Sequence, residues 1–272
     1  MTHPLIGGVV LVTGASSGIG RELAIHVAPH AKAIALVARR KDRLDQLAAE
    51  LEKSKPGLKA FAVECDLADL SACDRMLAEV MKELGPIDVL VNNAGFGDLG
   101  VFDKADWKKT KQMIDLNVTA LVYLTHKVLP GMVERNRGGI LNISSGFGLT
   151  FAPGGSTYVG TKHFVTGFTE CLRLDMAGLD VVVTQVCPGP VKTEFSDNIG
   201  NFTGQEPPGF VTVTAKHVAR GSVRAFLRKR AMYVPGFWIS LLVPLGMHTP
   251  RWFLRFLYSF GGKILRRKQM SA

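Results

Sequence analysis

The stretch that decides the fold is Val9-Val10-Leu11-Val12-Thr13-Gly14-Ala15-Ser16-Ser17-Gly18-Ile19-Gly20. Its first four residues are apolar, as in a buried strand, and a helical pattern runs from Gly18 to Ala28. Glycines between two such elements allow a close approach to a pyrophosphate, toward which the helix start directs free N–H groups. An ordinary tight turn is the alternative, but a turn between a first strand and a helix is the context that the motif requires. We therefore predict a dinucleotide-binding turn formed by Gly14, Ser16, Ser17, Gly18, Ile19 and Gly20.

Apolar runs alternate with helical patterns along the rest of the chain. Strands are predicted at residues 33–38, 59–65, 88–92, 139–144 and 180–187, and helices at 42–53, 71–84, 109–134 and 156–177, with Ser71 as a helix cap. The strands are rich in Val, Ile and Leu with little polar alternation, which is typical of a parallel sheet covered by helices on both faces. We predict a doubly wound α/β fold of Rossmann type, in which ligands bind beyond the carboxyl ends of the strands.

The chain has 272 residues, of which 47% are hydrophobic, and no segment has the composition of a linker. We therefore predict a single catalytic domain over residues 1–231 with an extension over 232–272. The N-terminal residues lack the basic segment and cleavage site of a signal peptide. The four cysteines form no CxxC pair and no cluster with metal-ligand spacing. We expect free thiols in the reducing cytoplasm and no metal.

The residues after the second strand indicate the cofactor. Sites that prefer NAD usually carry an acid here for the ribose hydroxyl, whereas an arginine accommodates the 2′-phosphate of NADP. Arg39 and Arg40 occupy this position. They could instead be solvated side chains at a helix start. We predict NADP rather than NAD.

Polar residues also follow the third and fourth strands. Asp66 and Leu67 come after the third, where Asp66 could accept a hydrogen bond from an adenine amino group. Asn92 ends the fourth strand, and its side chain could serve the cofactor or a neighbouring strand equally well. We expect the run that follows it, Asn93-Ala94-Gly95, to line the cofactor cleft.

Three side chains with a shared chemical use follow the fifth strand. Tyr158 lies thirteen positions after Ser145, and Lys162 lies four positions after Tyr158. Residues at i and i+4 share one face of a helix, so the phenol and the ammonium group point the same way. A free phenol has a pKa of about 10, and a nearby cation lowers it toward the range that acid–base catalysis needs. The alternative is an ordinary pair on a surface helix.

In their order and spacing, these residues resemble the short-chain dehydrogenase/reductase family over roughly residues 8–193. The resemblance rests on the TGxxxGxG turn, the Asn-Asn-Ala-Gly run, Asn117, the serine, the YxxxK pair and Pro188-Gly189. It implies an NADP(H)-dependent oxidoreductase that moves a hydride between nicotinamide and a hydroxyl or carbonyl carbon.

The resemblance also implies a role for each catalytic residue. Tyr158 is the general acid and base, and Lys162 lowers its pKa and binds the nicotinamide ribose. Ser145 orients the substrate oxygen, because the serine of the family lies thirteen residues before the tyrosine; Ser144 is expected to face the sheet or the cofactor. Asn117 holds a water that links Lys162 to solvent.

Two further positions concern the cofactor. Thr193, which follows Pro188, Gly189 and Val191, would bond the nicotinamide carboxamide. Relatives that prefer NADP often carry a basic residue before the second glycine of the turn, but this chain has Ser17. Only the arginine half of the NADP signal is therefore present.

The net charge of +10 lies in the C-terminal part of the chain. From Pro207 onward there are twelve Lys or Arg and no Asp or Glu, whereas the residues before it hold 21 basic and 23 acidic side chains. A nucleic-acid-binding protein would spread its charge or carry a reading motif, so we expect no nucleic-acid partner. The charge-free segment from Phe237 to Pro250 is too short to span a bilayer.

Residues 251–268 have the pattern of a basic amphipathic helix, which Gly261-Gly262 is expected to weaken or break. Phe253, Leu257, Phe260 and Ile264 share one face, and Arg251, Arg255 and Arg266 share another. This pattern is typical of a peripheral anchor on the inner face of a membrane. The alternative is packing against the domain or a second subunit, since members of the family are commonly dimers or tetramers.

Aromatic residues after the strands suggest an apolar substrate, such as a fatty-acyl, sterol-like or long-chain compound of lipid metabolism; these residues are Phe147, Phe151, Phe195 and Phe202. Two other functions remain open. One is a non-catalytic dinucleotide sensor or scaffold, against which the four intact catalytic residues argue. The other is a different reaction, such as dehydration or epimerisation, on the same scaffold.

Overall fold

The computed structural model describes residues 2–195, 199 and 208–271. Within them, parallel pairing joins seven strands into one sheet: β1 (Val9–Thr13), β2 (Ala33–Ala38), β3 (Lys59–Glu64), β4 (Val89–Asn92), β5 (Gly138–Ile143), β6 (Val181–Val186) and, after two short strands, β9 (Met232–Tyr233). The two short strands, β7 (Val191–Lys192) and β8 (Val213–Thr214), pair with each other.

The spatial order β3-β2-β1-β4-β5-β6-β9 confirms the predicted doubly wound fold. The chain builds outward from β1 to β3 and then returns to place β4 against the free side of β1. In such sheets the crevice at the carboxyl ends of the strands where the order reverses is the ligand site. The turn after β1 and the run after β4 therefore face the same crevice.

Helices cover both faces of the sheet. One face carries α1 (Gly18–Val27), α2 (Lys41–Ser54) and α7 (Ala215–Leu227). The other carries α3 (Leu70–Leu84), α5 (Leu121–Glu134) and α6 (Ser156–Asp175). Every residue of β1, β2, β5 and β6 is buried, which explains the unbroken apolar runs in the sequence.

Two of the predicted helices differ from prediction, one in its capping residue and one in its continuity. Helix α3 is capped by Asp69 rather than Ser71, because the Asp69 carboxylate accepts hydrogen bonds from the backbone N–H groups of Ser71 and Ala72. The helix predicted at residues 109–134 is divided into α4 (Trp107–Ile114) and α5 by a π-helical turn, Asp115–Ala120. Such turns occur frequently at functional sites, and this one contains Asn117.

The chain ends in two helices, α8 (Phe237–His248) and α9 (Arg251–Ser271), which we call the cap. The expectation that Gly261-Gly262 would break α9 is wrong, since the helix is continuous through both glycines. Both glycines lie near Pro153, and a Cβ on either would make only ordinary van der Waals contact with its ring. In the described residues, no helix is both long and apolar enough to cross a membrane.

Helix α9 packs on the domain through a different face from the one that the sequence suggested. Leu254 and Leu265 are buried, and Tyr258 packs edge-to-face on Phe151 with ring centroids 5.6 Å apart. The predicted apolar face remains between 46% and 55% exposed; its members are Phe253, Leu257, Phe260 and Ile264. About half of the surface of each of these side chains is therefore left uncovered by the domain.

Candidate active site

The turn between β1 and α1 requires glycine at particular positions. Gly14 and Gly18 have positive φ angles of 67° and 54°, which side-chain-bearing residues rarely adopt. A Cβ on Gly20 would overlap the carbonyl oxygen of Gly14. Ser16 and Ser17 lie in the turn, and Ile19 is the second residue of α1.

Thr13, which the sequence had not singled out, ties this turn to the run after β4. Its hydroxyl donates to the carbonyl oxygen of Val91 at 3.1 Å and accepts from the backbone N–H groups of Asn93 and Ala94, both at 3.0 Å. The side chain of Asn93 in turn donates to the carbonyl oxygen of Thr13 at 2.9 Å. A polar residue at the end of an otherwise apolar strand was the signal that could have identified it.

The sequence left open whether the Asn92 side chain serves the cofactor or a neighbouring strand, and the structure shows the second arrangement. It is buried, and its amide donates to Asn142 Oδ1 at 2.9 Å and to Thr125 Oγ1 at 3.1 Å. Its side chain therefore joins β4 to β5 and α5 in the core. Leu67 is also a core residue, while Asp66 is exposed and its carboxylate accepts from the backbone N–H of Ala68.

The two arginines after β2 differ in their surroundings. Arg40 donates to Ser17 Oγ at 2.8 Å and to Ser16 Oγ at 3.1 Å, so its guanidinium group lies on the turn between β1 and α1. Arg39 is exposed. An open cleft adjoins the turn, with Ser16, Ser17 and Gly18 in its lining.

An acid shares this corner of the site. Arg40 also donates to Glu194 at 2.8 Å, and Arg43, one helical turn along α2, donates to the same carboxylate at 2.6 Å. Hydrogen bonds from Arg40 and Arg43 lower the pKa of Glu194 to about 2. The spacing of Arg40 and Arg43 was visible in the sequence, but no local pattern placed Glu194 opposite them.

Helix α6 places Tyr158 and Lys162 at the carboxyl end of β5, and both are buried. Lys162 Nζ lies 5.9 Å from the centroid of the Tyr158 ring and donates to the carbonyl oxygen of Ile143 at 3.0 Å. The hydroxyl of Ser145 bonds with Tyr158 and accepts from the backbone N–H of Phe147 at 3.2 Å. The three predicted side chains therefore meet.

Burial dominates the ionisation of this group. It raises the pKa of Tyr158 to about 12, against the opposing effect of the hydrogen bond with Ser145. It lowers the pKa of Lys162 to about 8. The pKa of Tyr158 is thus shifted opposite to the direction expected from Lys162 alone, because loss of hydration penalises the phenolate more than nearby groups stabilise it.

Asn117 and Ser144 hold the surrounding elements in position. The amide of Asn117 donates to the carbonyl oxygen of Phe96 at 2.9 Å and to Thr161 Oγ1 at 3.1 Å, while its Oδ1 accepts from the Phe96 N–H. A Cβ on Gly95 would come within 2.9 Å of that Oδ1. Ser144 donates to the carbonyl oxygen of Lys162 at 3.1 Å, so it faces α6, and Ser145 is the serine beside the phenol.

The loop after β6 closes the other side of the site. The carbonyl oxygen of Pro188 accepts from the backbone N–H of Gly146 at 2.7 Å. Thr193 lies against the dinucleotide turn, since a Cβ on Gly18 would be 3.2 Å from its methyl group. Val191 begins β7.

Apolar side chains surround the phenol. The ring centroids of Phe147 and Phe195 lie 6.3 Å and 5.9 Å from that of Tyr158. Ile199 lies against Gly97 and close to Tyr158. Phe151 packs against Tyr258 of the cap instead. Phe202 lies outside the described residues.

Comparison with known proteins agrees with this geometry. A family model described as short chain dehydrogenase matches residues 8–203. The NADP-dependent 3-hydroxy acid dehydrogenase YdfG of Escherichia coli K12 is 41% identical over 192 residues, which are 70% of this chain and 75% of that protein. The 11-beta-hydroxysteroid dehydrogenase 1A of Arabidopsis thaliana is 31% identical over 94% of this chain and 77% of its own.

Solved structures agree as well. The closed form of a serine dehydrogenase complexed with NADP+ superposes with a TM-score of 0.73 at 34% identity, covering 83% of this chain and 94% of that one. A short-chain dehydrogenase from Sphingobium yanoikuyae in complex with NADPH gives 0.74 at 28% identity, covering 97% and 95%. This chain therefore belongs to the short-chain dehydrogenase family and is an oxidoreductase.

Proposed function

We propose that this enzyme interconverts an alcohol and a ketone or aldehyde by moving a hydride to or from NADP(H), and that its substrate is apolar. The observation that carries the proposal is the meeting of Tyr158, Lys162 and Ser145 beside the dinucleotide turn. The names of NADP-dependent relatives and of NADP-bound structural neighbours support the cofactor.

The residues at the turn fit NADP. Its glycines leave the backbone open to a pyrophosphate, and the Arg40 guanidinium lies on the turn where it can pair with a 2′-phosphate. Thr193 lies beside Gly18 of the turn, and we infer that it would bond the nicotinamide carboxamide. When bound, the cofactor supplies or accepts the hydride.

The chain's own residues handle the proton. In the reducing direction, the Tyr158 hydroxyl donates its proton to the substrate oxygen, and the Ser145 hydroxyl donates a hydrogen bond that holds this oxygen in place. The Lys162 ammonium group stabilises the resulting phenolate. In the oxidising direction, the phenolate takes the proton from the alcohol.

Reprotonation needs a route from solvent to Lys162. Both side-chain N–H groups of Asn117 are donated within the protein, to Phe96 and Thr161. A water that links Lys162 to solvent would therefore donate to an acceptor: either Asn117 Oδ1, which accepts from the Phe96 N–H and has a second lone pair, or a backbone carbonyl oxygen of the π-helical turn.

The experiment that tests the proposal is the loss of NADPH absorbance with a panel of ketones and aldehydes that includes 3-oxo acids, steroids and long-chain ketones. We expect turnover to be faster with the apolar members than with small polar ones. A non-catalytic sensor or scaffold would bind NADPH with no turnover of any member. An epimerase or dehydratase would change an alcohol with no net oxidation of the cofactor.

The inner face of the cap supports an apolar substrate. Ile239 of α8 packs directly on the backbone of Gly189, and Val243 lies near Gly146, next to the catalytic serine. Leu265 of α9 packs on Gly154, between Ser145 and Tyr158 in sequence. The cap therefore adds aliphatic side chains to the loops around the phenol.

The outer face of the cap supports contact with a membrane surface. Its exposed aromatic and aliphatic side chains, between 46% and 70% accessible, include Trp238, Leu241, Leu245, Trp252, Phe256 and Phe260. Large exposed apolar patches of this kind mark interaction sites. Helix α9 also carries six Lys or Arg and no acid. Pairing two copies through this face would bring like charges together, so we commit to an anionic lipid surface.

We expect the protein to co-sediment with vesicles of phosphatidylglycerol and phosphatidylcholine at low salt and to be released as salt rises. Basic residues near such a surface contribute about 1 kcal/mol each. The double variant Trp252→Glu/Phe256→Glu should bind at least about tenfold less, because it places charge on the inserted face. Trp107→Glu is the matched control, since Trp107 is 69% exposed but lies on α4.

Wild-type protein that fails to sediment at low salt, or a double variant that sediments as well as wild type, would contradict lipid binding. If the double variant instead shows a smaller mass in solution, the same face is a contact between subunits.

We also propose a homo-oligomer that forms through α6. Phe164 and Leu174 on this helix are 45% and 73% exposed, and Phe168 stacks on Phe164 with ring centroids 6.1 Å apart. A second copy would cover this apolar stripe without using the basic cap. A sedimentation-equilibrium mass of one chain at micromolar concentration would refute this proposal.

A further inference from the structure

The ion pair between Arg40 and Glu194 lies at the part of the cofactor cleft that distinguishes NADP from NAD. Arg40 is bonded at once to both serines of the dinucleotide turn and to the Glu194 carboxylate. Arg43 holds the second carboxylate oxygen at 2.6 Å. A carboxylate held by two guanidinium groups occupies the position chemically suited to a phosphate, which arginine binds in the same forked geometry.

We propose that Glu194 is a built-in competitor for the 2′-phosphate of NADP(H): the phosphate must take Arg40 and Arg43 from this carboxylate, and Glu194 thereby limits affinity for NADP(H) without affecting NAD(H). The inference rests on the proposed use of NADP. It assigns Glu194 to cofactor discrimination, as a positioning residue that acts through the two arginines.

Charge balance supports competition over cooperation. A bound 2′-phosphate carries up to two negative charges, and Glu194 is ionised at neutral pH, since Arg40 and Arg43 lower the pKa of its carboxyl group to about 2. Two anions beside the same pair of cations repel each other. Either Glu194 leaves the arginines when the phosphate binds, or it remains and weakens the phosphate; both outcomes lower NADP(H) affinity.

The position of Glu194 in the chain makes the competition specific to this corner of the site. It follows Thr193, which lies against Gly18 of the turn, and precedes Phe195, which lies beside Tyr158. The carboxylate reaches away from the catalytic phenol to α2. Removing its charge should therefore leave the binding of the adenine, pyrophosphate and nicotinamide groups unchanged.

The test is the affinity of Glu194→Gln for adenosine 2′,5′-bisphosphate, which carries the 2′-phosphate, and for adenosine 5′-monophosphate, which lacks it. Titration calorimetry measures both without turnover. We expect the variant to bind the bisphosphate and NADPH roughly threefold to tenfold more tightly than wild type, the range set by two exposed ion pairs. Its affinity for the monophosphate and NADH should change less than about twofold.

The increase in affinity of Glu194→Gln for the bisphosphate and NADPH should become smaller as salt rises, because salt screens exposed charge pairs. Glu50→Gln is the matched control: Glu50 lines the same cleft but pairs with Arg21, so its loss should not alter the preference. Glu194→Ala serves as the second variant without the carboxylate. Melting temperatures of wild type and the three variants identify any variant that fails to fold.

A loss of affinity for NADPH and the bisphosphate in the Glu194 variants would overturn the inference. If Glu194→Gln and Glu194→Ala weaken NADPH and the bisphosphate, Glu194 orders the arginines for the phosphate instead of competing with it. Unchanged affinities would also refute it. These failures are distinct from failure of the proposed cofactor, in which wild-type protein itself shows no preference for the bisphosphate over the monophosphate.

Discussion

Tyr158→Phe is expected to lower turnover by about a hundredfold or more while leaving NADPH affinity nearly intact. The substitution removes the proton that the phenol transfers and keeps the ring, which packs against Phe147 and Phe195. Loss of general acid–base catalysis typically has a cost of about 10² to 10⁴ in rate. Steady-state kinetics with the best carbonyl substrate of the panel, together with NADPH binding by fluorescence, measure the two quantities separately.

The pH profile gives a second readout of the same group. Because burial raises the pKa of Tyr158 to about 12, the phenol is protonated at neutral pH and ready to donate, so reduction should change little between about pH 6 and about pH 8. Oxidation needs the phenolate, whose fraction grows as pH rises, and should therefore speed up over the same range. Above about pH 8 Lys162 loses its proton, and its support of the phenolate declines.

Tyr123→Phe is the matched control. Its hydroxyl also donates a hydrogen bond, to Asp74 at 2.7 Å, but it lies on the outer side of α5. This variant should keep wild-type turnover and the rising oxidation limb, while Tyr158→Phe should lose both. Turnover of Tyr158→Phe within threefold of wild type would remove Tyr158 from the mechanism.

The sequence predicted the sheet because unbroken apolar runs identify strands that are buried on two faces. The four-residue interval between Tyr158 and Lys162 predicted that these two side chains share a helix face, and the family resemblance implied that Ser145 lies beside them. The catalytic roles of the three residues stay a prediction. The ionisation of the group was not predictable in this way. Its sign depends on how completely α6 and the loops exclude water, which only the packed structure reveals.

The cap illustrates the limits of helical periodicity. A helical wheel of residues 251–268 identifies an apolar face, but it does not show whether that face contacts protein or solvent. In the structure, α9 contacts Phe151, Pro153 and Asp103 through a neighbouring face. The apolar face that the wheel identifies stays about half exposed. The same contacts explain why two central glycines do not end α9, since tertiary packing compensates for their low helix propensity.

Arg40→Asp is expected to reverse the preference between the two nicotinamide cofactors. In wild type, the Arg40 guanidinium is held on the dinucleotide turn by Ser16 and Ser17. Its charge-assisted bonds to a 2′-phosphate are worth about 1.5 to 3 kcal/mol each, and an aspartate there would repel the phosphate. NADPH affinity should fall by about a hundredfold or more, while NADH affinity holds or rises, since a carboxylate can accept from the ribose hydroxyls.

Arg39→Asp makes the same change of charge one residue away. It is therefore the control that separates a direct contact of Arg40 with the 2′-phosphate from the general positive potential of this region. Arg39 is exposed, whereas Arg40 contacts the turn, so the two variants should differ although the sequence presents the two arginines as equivalent. We expect Arg39→Asp to weaken NADPH by less than about fivefold, the scale of a screened surface charge. Equal losses in both variants would mean that the local positive potential, rather than the Arg40 contact, selects NADP. No loss in either would assign the 2′-phosphate to other residues, with Arg43 the first to test because it shares Glu194 with Arg40.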